Sequence, residues 1–180
     1  MPQTMVAAAM LLWMIPASAL AAPEPDPAVS GFGATHSASE AAERPDPKLR
    51  YRVVFSISKA AAKADQVNPS LDKVARYLNL LAEGGVHPRA GDVVAVLHGP
   101  ATIAAMADAA YAARTGSAAN PNVRLVAALR AAGVTVSVCS QALHGQEIAT
   151  GDLQDGIRVD VSAMTTITNL QLRGFALVPD

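Results

Sequence analysis

Two side chains in this sequence have the chemistry to move a group rather than merely pack: the single cysteine, Cys139, and the histidine of the His98-Gly99-Pro100 turn. Cys139 ends the apolar run Val134-Thr135-Val136-Ser137-Val138, which reads as a buried strand breaking into a turn. A thiol there can be presented to a pocket beyond the strand, and a helix starting just after it would favour the nucleophilic thiolate. Free cysteine is also among the most buried residue types, so position alone gives inert packing and a functional thiol equal weight. His98 ends a second apolar run. An imidazole beside a thiol can lower its pKa or shuttle its proton, and it can equally do no more than bond the adjacent loop and order the turn.

The other polar candidates carry less. His144 lies five residues past Cys139 and reads as surface, His87 precedes Pro88 in a polar connection, and His36 lies in a proline-rich arm. These histidines and the carboxylates lack close ligand spacing, so no metal site is expected, and no cofactor. Gly99-Pro100 before a helix has neither a glycine-rich loop nor a Walker lysine around it and reads as a tight turn. Lys59 and Lys63 read as solvated loop charges, though they could draw in an anionic species. Ser56 and Ser58 sit in no nucleophile motif.

Positioning these residues requires a scaffold, and the pattern of the chain predicts one. Tyr51 to Ile57 is the expected first strand, and Pro69-Ser70 opens a helix in which Leu71, Val74, Leu78 and Leu81 recur at helical spacing until Gly84-Gly85. Asp92 to Leu97 is a continuously apolar strand, followed by a helix through Ile103, Met106 and Ala110 closing near Gly116. Asn120-Pro121 predicts the next helix start, with Leu125, Val126 and Leu129 as its stripe. After the strand of Cys139 come a short helical piece around 146–149, a brief strand at 157–161, a last helix through Ala163, Ile167 and Leu170, and a final strand at 175–178. This alternation predicts an α/β three-layer sandwich: a mainly parallel sheet of about five strands with helices on both faces. Ligands in such folds bind beyond the carboxyl ends of the strands. The loop after the first strand, the His98 turn and Cys139 all fall there, which tips the balance towards a functional thiol.

The ends of the chain differ from this. Val6 to Ile15 is an apolar run closed by Pro16, and Ala17-Ser18-Ala19 and Ala19-Leu20-Ala21 have the small-x-small form of a signal-peptidase site. The run is shorter than the ~20 residues of a membrane span. The expectation is an export signal over 1–21, despite the missing Lys or Arg before it, and no membrane span after cleavage. Residues 22–48 hold five of the twelve prolines among Glu, Asp, Ser, Ala and Gly and predict a disordered linker. One domain over 49–180 follows. A single cysteine excludes an intramolecular disulfide and a Cys-x-x-Cys redox pair. A net charge of −1 with scattered Lys and Arg gives no footprint for nucleic acid.

Asp92 to Pro100, the form L-x-x-x-G-V-x-V-x-V-C-x-x-x-L over Leu129–Leu143, Gly151-Asp152-Leu153 and the ending Gly174 to Pro179 together resemble the DsrE/DsrF-like family, in its sulfur-relay-type DsrE/TusD/YchN-like form, over about Tyr51 to Asp180. The resemblance implies a homotrimer or homohexamer. It also implies that Cys139 carries sulfane sulfur as a persulfide; the backbone N–H groups of Ser140 and Gln141 could steady its anion if the following turn points them at it. The partners implied are sulfur donor and acceptor proteins or small sulfane-sulfur compounds. Relay members work in the cytoplasm, whereas the leader here points to the periplasm, so the expected function is a periplasmic sulfur-carrier or sulfurtransferase-like protein. The competing expectations are an oligomeric small-ligand-binding module without catalysis, and a thiol redox sensor.

Overall fold

Along Val53–Ile57 the side chains alternate, Val53, Phe55 and Ile57 turning one way and Val54 the other, and both sets are buried. Such a strand needs cover on two faces. The computed structural model, which describes residues 27–38 and 40–180, provides it. Five strands, β1 (Val53–Ile57), β2 (Val93–Leu97), β3 (Thr135–Cys139), β4 (Arg158–Asp160) and β5 (Ala176–Pro179), form one sheet in the order β4-β3-β2-β1-β5. Every pairing is parallel, as the strand–helix alternation predicts.

Five α-helices accompany it: α1 (Pro69–Glu83), α2 (Asp108–Thr115), α3 (Val123–Ala131), α4 (Ser140–Gly145) and α5 (Ala163–Leu172). On one face, Leu71, Val74 and Leu78 of α1 and Leu125, Val126 and Leu129 of α3 pack on Val53, Phe55, Ile57, Val93, Ala95, Leu97, Val136 and Val138. On the other, Ala163 and Leu170 of α5 meet Val54, Val94, Val96, Cys139 and Phe175. The start of α1 follows from its sequence: Asn68 Oδ1 accepts the N–H groups of Ser70 and Leu71, and Pro69 sits where no intrahelical donor is needed.

Three local expectations need correction. The helix expected through Ile103, Met106 and Ala110 is broken, into a 3-10 segment at Gly99–Ala105 and α2. The cause is tertiary: Met106 bridges to Leu153, and Ala107 N–H donates to the Asp152 carbonyl while Gln154 N–H donates to that of Ala105. Asn120 does not cap a helix at Pro121. It is buried, its Nδ2 donates to the Ala104 and Met106 carbonyls across that break, and α3 starts only at Val123. The short helix expected around 146–149 lies earlier, at 140–145, so it follows Cys139 directly.

The residues read as an export signal, 1–21, lie outside the described residues. The described part of the arm, where composition predicts a disordered linker, is seated on α1. Val29 is 1% exposed and belongs to the larger cluster. Asn79 Oδ1 accepts the Val29 N–H, and its Nδ2 donates to the carbonyls of Val29, Phe32 and Gly33. Asp72 accepts the Gly33 N–H and Arg76 donates to the Ala34 carbonyl. At Gly33, where φ is +60°, a Cβ would run into the backbone of Ala75 and Arg76, so glycine is required for this close approach. Proline-rich composition signals a lack of regular structure, and here the side chains of α1 satisfy the irregular backbone.

Candidate functional site

The register of the sheet places the chemistry. Leu97 is paired with Val138, so His98 and Cys139 are the next residues along neighbouring strands, and Cys139 itself is paired with Asp160 of β4. Cys139 packs in the α5-side cluster with Val54, Val94 and Val96. Alternation along extended backbone puts Ser56, two beyond Val54, and His98, two beyond Val96, on that same face. The carboxyl edges of β1, β2 and β3 thus carry Ser56, His98 and Cys139 on one side of the sheet.

His98 is held on the side of β2 away from Cys139. Its Nε2 lies 2.9 Å from Ser56 Oγ, with the hydroxyl donating when the ring carries its proton on Nδ1. Burial pushes the ring's pKa below the ordinary histidine value, and the negative charge of Asp180 offsets part of that. Both the direction of this shift and its cause favour the neutral ring. Asp180 is fixed by Ser58 and Lys59, whose N–H groups and the Ser58 hydroxyl all donate to its carboxylate. Burial alone would raise its pKa, but these bonds and the Lys59 charge outweigh that and hold it below the ordinary carboxylate value.

The turn after β2 ties three segments together. Ala101 N–H donates to the Ser58 carbonyl in the loop after β1, and Gln146 Nε2 donates to the Gly99 carbonyl from beyond α4. Gly99 has φ +50°, which a side chain would strain, and its backbone passes close to Ser58.

Cys139 is the residue that precedes α4, with its side chain making no capping hydrogen bond. It is 5% exposed. Two residues earlier on the same face, Ser137 is fully buried with no hydrogen-bond partner for its hydroxyl. Ser140 and Gln141 turn their side chains to the connection between β4 and α5: Ser140 Oγ and Gln141 Nε2 both donate to the Val161 carbonyl, at 2.8 and 3.3 Å.

The structure does not gather the remaining histidines. His144 is exposed on α4 and lines an open depression of about 660 Å³ with Arg114 and Glu147. His36 lines a largely apolar cavity of about 390 Å³ between the arm and α1, with Tyr51 and Tyr77. Among the described residues no group of three or more His, Cys, Asp or Glu is placed to hold a metal ion, and no helix is long and apolar enough to cross a membrane. Sequence reasoning passed over Ser56 as a partner of His98. Its place two residues after Val54 gives its face, but only the register shows which side chain it meets.

A family model, the DsrE/DsrF-like family, matches residues 42–179. Among solved structures, the chain is similar to a protein of unknown function from Methanobacterium thermoautotrophicum, MTH1491, at 23% identity and a TM-score of 0.53, covering 72% of this chain and 99% of that one. It is also similar to the YchN protein of E. coli, at 18% identity and a TM-score of 0.51, with the same coverage. No curated protein matches the chain.

Proposed function

The chain belongs to the DsrE/DsrF-like family, which is sulfur-relay related, and we propose that this member is a sulfur carrier that holds sulfane sulfur as a persulfide on Cys139. The observation that carries the reading is the seat of Cys139: the last residue of β3, directly before α4, at the carboxyl edge of the sheet where this architecture binds ligands. In the reaction the Cys139 thiolate attacks the outer sulfur of a persulfide donor, R–S–SH. The donor's S–S bond breaks, a new S–S bond forms at Cys139, and R–S⁻ leaves, with no net oxidation or reduction. Discharge is the same step run to an acceptor thiolate. His98, anchored by Ser56 on the side of β2 away from Cys139, is the base at the neighbouring strand end that would take the proton of an acceptor thiol in the discharge step.

The same proposal places the mature protein in the periplasm, on the leader-like pattern of residues 1–21, and makes it a homotrimer or homohexamer. The uncharged α5, with Met164 78% and Leu172 82% exposed, supports a subunit contact. Burial of Cys139 favours a second reading, a small-ligand-binding module in which the thiol only packs.

Intact-protein mass spectrometry after incubation with a persulfide donor separates the two. The carrier gains about one sulfur mass, lost on reduction and absent in Cys139→Ser. A folded protein that gains nothing supports the module.

A further inference from the structure

Cys139 is bordered by the connection that runs from β4 into α5. Asp160 lies directly beside Cys139 in the sheet, and Ala163, at the start of α5, shares its cluster. Between them Val161 is 75% exposed, yet its carbonyl is fixed by the side chains of the two residues that follow the thiol. β4 is an edge strand, three residues long and paired on one side only. Its Arg158 is occupied within the strand itself, donating from Nε and an Nη to Asp160. A short, one-sided edge strand with exposed hydrogen bonds is where native proteins open locally at least cost.

We propose that residues 160–163 are a lid over Cys139, and that Ser140 Oγ and Gln141 Nε2 are its latch on the Val161 carbonyl. The lid swings with the carboxyl end of β4, while β1, β2 and β3 stay paired. Its closed state shields the thiol from adventitious disulfide exchange, and opening exposes it to a donor or acceptor. This regulatory meaning rests on the carrier reading of Cys139; the lid itself does not.

The test is the rate at which Cys139 of the full native chain is alkylated by a small neutral reagent such as iodoacetamide, in the wild type and in Ser140→Ala, Gln141→Glu and the double Ser140→Ala/Gln141→Ala variant. Losing two latch bonds corresponds to about a tenfold or larger rise in the open population, and the alkylation rate of the double variant should rise to match. Each single variant should fall between. Hydrogen exchange supplies the second readout: amides of residues 158–163 exchange faster in the double variant, and those of β1 and β2 do not. An unchanged alkylation rate overturns the lid, and so does a faster rate accompanied by equal acceleration in β1 and β2. Because alkylation needs no sulfur donor, the lid stands or falls separately from persulfide loading.

Discussion

The two faces of the sheet are built unequally. Among the described residues, the face under α1 and α3 has a core cluster of 24 buried residues, Val29 of the arm among them, while the face under α5 has seven. The polar and reactive groups of the central strands are on the thinner side: Ser56, Ser137, His98 and Cys139. Such a division teaches where each property comes from. Burial of large aliphatic side chains on the α1 face stabilises the chain, and the α5 face can then accommodate an unpartnered hydroxyl, a half-buried imidazole and a thiol without endangering the fold.

Core truncation tests this contrast most severely. Leu129→Ala, on the thick face and fully buried, should lower the unfolding free energy in urea by about 2–5 kcal/mol. Leu170→Ala, 7% exposed on the thin face, should cost clearly less, and equal losses would erase the distinction. Asn79→Ala comes next, with an expected loss of about 1–3 kcal/mol because the Val29 N–H and three carbonyls lose their buried partner. Limited proteolysis should then cut within residues 27–38 faster than it does in the wild type.

On the thin face the effects shrink. Cys139→Ala should change stability by about 1 kcal/mol or less, since the thiol fills little volume and makes no capping bond. A larger loss would make its role packing. The smallest effect is a pH dependence. Burial lowers the His98 pKa below 6.5, so as the pH falls through 6.5 the unfolded chain takes up a proton that the native ring still refuses. Stability contributed by the neutral ring is complete above that point and drains away below it, until the native ring is protonated as well. Thermal melts from pH 7.5 to 5 should show this loss in the wild type and a shallower one in His98→Gln. Asp92, held below the ordinary carboxylate value chiefly by its hydrogen bonds from Arg50, and Asp180 act in a separate window: the stability they contribute is lost as the pH falls below 3.8.

Much of this was legible in the residues. β-branched runs and glycine or proline punctuation give all five strands and α1 nearly to their ends, and the same pattern puts His98 and Cys139 at the same edge. What pattern reading misses is set by contacts between distant segments. The break at Met106 exists because Leu153 pairs there, and Asn120 looks like a cap until the Ala104 and Met106 carbonyls are found beside it. The arm looks unfoldable until Asn79, fifty residues from Val29, supplies its hydrogen bonds. At the site, periodicity gives the face of Ser56 but not its bond to His98, and it gives the end of β3 but not the latch on Val161.

The central claim is that the thiol on the thin face receives sulfur. Its most direct test is to expose the native chain to a persulfide donor, trap it with an alkylating reagent in the unfolded state, and map the peptide that contains Cys139 by mass. The account predicts a Cys139 peptide bearing one additional sulfur beneath the alkyl group, in amounts that grow with donor exposure and disappear after reduction. Recovery of that peptide only as the simple alkylated thiol, from protein that was folded throughout, would contradict it and leave Cys139 as packing.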